Sequence, residues 1–214
     1  NHGKGLMLGG VAGIPATEIV IIGAGTVGEF AARGAIGLGA AVKVFDNSLY
    51  KLRRLQNDLG MQVYTSIMQP DILAKELETA DVVIGAIRSE ERLTPCIVSE
   101  DMIKGMKDGS IAIDVSIDQG GCFETTRPTT HEDPAYIIDD IVHYCVANMP
   151  GAVPHTSTVA LTNVTLPYVL KLADDGWEKA CRDDDTLMKG VNIVKGRVVC
   201  EPILEAFGWK EAMA

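Results

Sequence analysis

Residues 16–30 read ATEIVIIGAGTVGEF. The β-branched run at 18–23 (EIVIIG) predicts a short strand buried on both faces. It passes straight into Gly23, Gly25 and Gly28, spaced G-x-G-x-x-G, and then into a helix predicted over 26–38. The glycine spacing alone is common. Here a strand precedes it, a helix follows it, and Asp46 closes the next predicted strand, 41–46 (AVKVFD).

That context is the fingerprint of a dinucleotide site. Gly23 permits the tight turn, Gly25 lets a pyrophosphate approach the backbone, and Gly28 lets helix and strand pack closely. The N–H groups around Thr26 and Val27 point at phosphate from the positive end of the helix. Asp46 stands 18 residues after Gly28, placed to accept hydrogen bonds from ribose hydroxyls. A 2′-phosphate there would meet like charge, and the next residue is Asn47 and not Arg, so NAD is favoured over NADP. The competing reading is a purely structural turn with Asp46 as a solvated strand-end acid.

Outward from the turn, strand-like and helix-like segments alternate. A helix is predicted over 48–59, with Ser48 as N-cap and Leu52, Leu55 and Leu59 at helical spacing. Strands follow at 62–65, 81–87 and 110–115, and helices at 71–78 and 99–106, the latter with Ser99 as a simple cap. A sixth strand is read at 143–148. Six strands separated by helices predict an α/β fold, a Rossmann-type doubly wound parallel sheet. The connection over 116–142 is long, the kind of loop that usually carries function. Beyond it lie a helical pattern at 156–180, broken near Pro167, a hairpin at 191–200 turning at Lys195–Gly196, and a short helix at 201–207. The expected organisation is an NAD-binding domain over 1–163 and a C-terminal segment, 164–214, whose helix and hairpin belong to a second domain.

Composition narrows the partners. The chain is 47% hydrophobic and carries a net charge of −10, so it repels phosphate backbones and anionic lipid. Nucleic acid and membrane are excluded as expected partners. No apolar run reaches the roughly 18 residues of a membrane helix. Five cysteines, an odd count without a CxxC pair, suggest neither a disulfide framework nor a zinc site. Reduced thiols in a cytoplasmic protein, with no metal, are the expectation. The opening stretch 1–15 (NHGKGLMLGGVAGIP) starts at Asn1 and reads as the middle of a longer protein.

Dinucleotide binding does not name a reaction. Two further stretches are more specific: DVSIDQGGCFETTRPTTHEDPAY at 114–136 and HYCVANMPGAVPHTSTVALTN at 143–163. Both resemble the alanine dehydrogenase family, which also includes the NAD-binding subunit of proton-translocating transhydrogenase. The match runs from about Gly3 to Gly208, and the long motifs favour alanine dehydrogenase. The resemblance implies NAD-dependent, reversible oxidative deamination of L-alanine to pyruvate and ammonia, in a cytoplasmic homo-oligomer, hexameric when full-length. Gly23, Gly25, Thr26, Val27 and Gly28 fall on the family's pyrophosphate loop, Asp46 on its ribose acid and Lys51 on a basic position near the adenosine. Ile87 and Arg88 fall on the loop after the fourth strand. Val115, Ser116, Ile117 and Asp118 fall on the loop at the nicotinamide end, where Asp118 matches a carboxylate needed for catalysis. Val146, Asn148 and Met149 fall on a strand end at the nicotinamide side.

Two departures from the family pattern stand out. Met68 occupies a position near the adenine where relatives carry a small hydroxyl residue. The stretch 88–95 (RSEERLTP) is more charged than the apolar loop expected there. The family's substrate domain, which supplies the cations for pyruvate and an acid–base histidine, lies mostly before the dinucleotide domain and is expected to be missing from these residues. Of the histidines, His143 reads as core, His2 as terminal, and His131 and His155 as exposed or structural. Cys122 lacks a basic partner in sequence, and hydride chemistry needs no thiol. The rival functions are an NAD-binding module without turnover and a transhydrogenase-like subunit.

Overall fold

The computed structural model describes residues 4–89 and 93–209. His2, and Glu90, Glu91 and Arg92 of the charged stretch at 88–95, lie outside them. The chain divides into two compact units, 1–149 and 150–214. The boundary expected after residue 163 falls inside a continuous helix of the second unit.

The first unit is built on β1 (Glu18–Ile22). Successive side chains of a strand point to opposite faces, so this all-apolar run feeds two cores at once. Ile19 and Ile21 pack with Ala32, Ala35, Val44 and Leu55, while Val20 and Ile22 pack with Leu73, Leu77, Val83 and Ile103. That two-sided burial makes the sheet doubly wound. Helix α1 (Thr26–Gly37) faces the sheet with Gly28, Ala32 and Ala35, small residues that allow close approach. Next come β2 (Ala41–Phe45), α2 (Leu49–Leu59), β3 (Tyr64–Ser66), α3 (Pro70–Thr79), β4 (Val82–Gly85), α4 (Glu100–Lys104) and β5 (Ile111–Asp114). Ser48 caps α2 by accepting from the Lys51 N–H at 3.3 Å, and Gly60 ends it in the left-handed region. Helix α4 is capped twice: Ser99 accepts from the Met102 N–H, and Glu124 from the Glu100 N–H at 2.8 Å.

The sheet differs from expectation at one edge. The long connection contains an unpredicted strand, β6 (Ala135–Ile138), which pairs antiparallel with β7 (Ile141–Tyr144). Asp139 and Asp140 join them with φ of 50° and 60°, as a two-residue hairpin turn requires. β6 is only half-buried and its turn is Asp-Asp, not the usual Asn-Gly, so neither hydrophobic pattern nor turn chemistry announced it. β7 itself starts two residues before the predicted sixth strand. Among the described residues the sheet has seven strands in the order β3-β2-β1-β4-β5-β7-β6, parallel except for β6. It is a Rossmann-like α/β fold. The order reverses between β1 and β4, where such sheets place ligands beyond the carboxyl ends of the strands.

The second unit holds α5 (Pro154–Asp175), α6 (Trp177–Arg182), α7 (Asp185–Lys189), the hairpin β8 (Ile193–Val194) and β9 (Arg197–Val198), and α8 (Glu201–Ala206). The predicted break at Pro167 does not occur: α5 runs through it. One missing N–H is a local loss to a helix of 22 residues. The break comes at Gly176, with φ of 74°. The hairpin turns at Lys195 and Gly196, with φ of 49° and 80°. Among the described residues no helix is long and apolar enough to cross a membrane.

Candidate dinucleotide site

The three glycines of the turn do different things. Gly23 has φ of 110°, and a Cβ there would lie 2.4 Å from the Ala86 carbonyl oxygen. Its N–H donates to the Phe45 carbonyl at 2.7 Å, tying the turn to β2. A Cβ on Gly28 would lie 1.8 Å from the Gly23 carbonyl oxygen, so α1 can cross the turn only without a side chain. Around Gly25 a Cβ would meet nothing within 4 Å. Its freedom from a side chain serves open space above the backbone. Gly25 is also the N-cap of α1 and offers no side-chain cap. The first-turn N–H groups of Thr26, Val27 and Gly28, which have no partner within the helix, are therefore left facing that space. This is a cradle for an anion at a helix N-terminus.

Asp46 sits directly beside the cradle. Its carboxylate is buried and accepts from the Ala24 N–H at 2.8 Å and the Ser48 N–H at 2.7 Å. An ionised carboxylate offers about four acceptor positions, so two remain for hydroxyl donors. Arg54 of α2 donates to the Ala24 carbonyl at 3.2 Å. The Ala24 peptide is thus held on both sides by residues that follow β2. Lys51 is exposed on the first turn of α2, and Met68 is half-buried against the core.

Beyond β4 and β5 lies a cleft of about 230 Å³, lined by Val27 of α1, by Ala86, Ile87 and Arg88, and by Val115, Ser116, Asp118 and Gln119. The structure brings the expected residues of three separate loops to one place. Ser116 fastens two of them: its hydroxyl accepts from the Ile87 N–H at 3.0 Å and donates to the Ile87 carbonyl at 2.8 Å. Asp118 is exposed, and both its oxygens lie 3.2 Å from the Asn148 N–H. Asn148 has φ of 53°, unusual for a residue other than glycine, and its carbonyl lies 3.1 Å from His131 Nε2. Met149 is half-buried beside it. Ile117 and Val146 are buried. Asp114, at the end of β5, escaped sequence reasoning. Its signal was a carboxylate inside an apolar strand, SIAIDV.

The remaining titratable candidates read as structure. His143 is fully buried, stacked on Tyr136 at 5.0 Å between ring centroids. Its Nδ1 lies 3.0 Å from the Ile141 carbonyl, which only a protonated nitrogen satisfies, so Nε2 accepts from the Thr125 hydroxyl at 2.8 Å. Burial, helped by the Arg127 charge and opposed by the Ile141 carbonyl, pushes its pKa below the ordinary 6.5. Burial next to the Asp114 carboxylate pushes the Cys122 thiol far up, the opposite of a nucleophile's requirement.

The geometry agrees with the comparison to known proteins. The family model "Alanine dehydrogenase/PNT, C-terminal domain" matches residues 1–201. The chain belongs to this family. It is 48% identical over 206 residues to an alanine dehydrogenase of Halomonas elongata, covering 96% of this chain and 56% of that protein. A solved structure of an L-alanine dehydrogenase superposes with a TM-score of 0.89 at 42% identity, covering 97% of this chain and 57% of the other. The transhydrogenase of Sinorhizobium meliloti superposes with a TM-score of 0.73 at 20% identity over 92% of this chain and 55% of the other, a likeness of fold. The chain spans about half the length of the curated family members it matches.

Proposed function

We propose that this chain is the cofactor-binding part of an NAD-dependent alanine dehydrogenase. The observation that carries the reading is the open cradle at Gly25, with the Asp46 carboxylate hydrogen-bonded to its rim. Thr26, Val27 and Gly28 offer N–H groups to the pyrophosphate, and Asp46 accepts from the adenine-ribose hydroxyls. Lys51 adds positive charge near the adenosine. Ile87 and Arg88 line the middle of the cofactor. Val115, Ser116, Ile117 and Asp118, with Val146, Asn148 and Met149, frame its nicotinamide end. Bound NAD supplies the hydride acceptor for the oxidation of L-alanine, which yields pyruvate and ammonia. Asp118 is the one ionisable side chain from the loop after β5 that lines the cleft, and it is the proposed catalytic carboxylate. Groups that grip the alanine carboxylate are assigned to a substrate domain outside this chain, to which the second unit, 150–214, returns. The whole protein is proposed to act in amino-acid metabolism as a cytoplasmic hexamer, and this chain alone to be inactive.

Titration of the chain with NADH and NADPH tests the reading, with NADH expected to bind and NADPH to bind at least about tenfold more weakly, as a like-charge clash at Asp46 requires. The Asp46→Arg variant should lose NADH affinity and most of this discrimination. Unchanged affinities would remove Asp46 from the ribose. In the full-length parent, Asp118→Ala should depress turnover far more than NADH binding, and retained turnover would end its assignment.

A further inference from the structure

Asp114 is fully buried at the carboxyl end of β5 and lies behind the cleft, not in it. One carboxylate gathers the loop that follows. Oδ1 accepts from the Ser116 N–H at 2.9 Å; Oδ2 accepts from the Cys122 N–H at 2.8 Å and the Thr126 hydroxyl at 2.7 Å, with the Phe123 N–H at 3.4 Å. Both stems of the loop 116–122 are therefore pinned to the same side chain, and Asp118 is at its tip. The wrap is tight. A Cβ on Gly121, whose φ is 80°, would lie 2.8 Å from Asp114 Oδ2 and 2.1 Å from Thr126 Cγ2. From the near stem, the Ser116 hydroxyl reaches across to both polar groups of Ile87.

A carboxylate without exposure is tolerated only when its oxygens are saturated with donors, and these come from the two stems of the loop and from Phe123 and Thr126 just beyond it. We propose that Asp114 is a positioning residue: through the Ser116–Cys122 loop and the Ser116–Ile87 clamp it sets the spacing of the two walls that receive the nicotinamide end of the cofactor. The proposal rests on the cofactor reading above. An anchor of this kind acts on one end of the site. The glycine cradle and Asp46 are held by separate contacts to β2 and α2, and they should keep their geometry when Asp114 is perturbed.

The test uses that asymmetry. The chain and its Asp114→Asn, Thr126→Val and Thr126→Ser variants are titrated with NADH and with ADP-ribose, which lacks only the nicotinamide. Amide hydrogen exchange is followed at Ile87, Ser116, Cys122 and Ala24. Asp114→Asn and Thr126→Val should weaken NADH about tenfold more than ADP-ribose, the size of one disrupted buried hydrogen bond. They should lose protection at Ile87, Ser116 and Cys122 but not at Ala24, whose buried N–H is held by Asp46. Thr126→Ser, which restores the hydroxyl, should return both readouts. If Asp114→Asn does not fold, the two Thr126 variants decide. Parallel loss of both ligands, or no loss of either, overturns the proposal and leaves the cofactor reading standing. So does a parent chain that binds the two ligands equally. A parent chain that binds neither ligand overturns the cofactor reading, and the proposal with it.

Discussion

At the scale of single residues, the same substitution separates what the glycines do. Gly28→Ala would drive a methyl group to 1.8 Å from the Gly23 carbonyl oxygen. It should cost about 3 kcal/mol or more, because backbone and not a flexible side chain must move. Gly25→Ala meets nothing within 4 Å. It should leave stability within about 0.5 kcal/mol of the parent, while NADH affinity falls sharply. Urea unfolding and NADH titration on the two variants check the contrast, and equal destabilisation would refute it. The sequence named all three glycines and a separate task for each; the structure adds the neighbours, Ala86 for Gly23 and Gly23 for Gly28. His143 supplies a pH dependence. Burial pushes its pKa in the fold below 6.5, so as pH falls through 6.5 the unfolded chain takes up a proton ahead of the folded chain. Stability should therefore fall between pH 7.5 and 5.5, at up to about 1.4 kcal/mol per pH unit. The urea midpoint should flatten over that range in His143→Gln. A slope unaltered by the substitution would assign the effect elsewhere.

At the scale of elements, the central strands and first helices were legible because each carries its own local signal. β1 is a continuous apolar run, α2 has Ser48 before it and Gly60 after it, and the β8–β9 hairpin turns on a glycine. β6 had no such signal. It is a half-buried edge strand on a turn whose two aspartates both adopt positive φ, and only pairing with β7 defines it. That turn is also improvable. Asp140→Gly places the residue best suited to left-handed backbone at φ of 60°. It should stabilise the protein by about 0.5–1 kcal/mol, seen as a raised thermal midpoint; a lowered one would mean that the Asp140 side chain contributes more than its backbone strain costs. Pro167 misled in the other direction. A rule about isolated helix interiors gave way to a long helix that absorbs one lost hydrogen bond.

At the scale of the whole molecule, every proposed cofactor residue lies within the unit 1–149. That unit has its own two-sided core, so residues 1–149 alone should unfold cooperatively and bind NADH within about twofold of the whole chain, a difference of only a few tenths of a kcal/mol. A tenfold loss would place part of the site in 150–214. The sequence by itself determined the α/β alternation, the doubly wound sheet, the strand–glycine–helix turn and the acid that closes β2. Each of these depends on residues close together in the chain, where periodicity and turn chemistry operate. Tertiary structure alone decided the seventh strand, the Ala24 peptide gripped by Asp46 and Arg54, the Ser116–Ile87 clamp and the buried Asp114 knot. The seventh strand and the Asp114 knot join residues no more than 12 positions apart, but neither carries a periodic or turn pattern; for the contacts at Ala24 and Ile87 the physical reason is range. A hydrogen bond between residues 22, 29 or 30 positions apart has no local sequence pattern, and it exists only once the sheet has brought the carboxyl ends of β1, β2, β4 and β5 to a common edge.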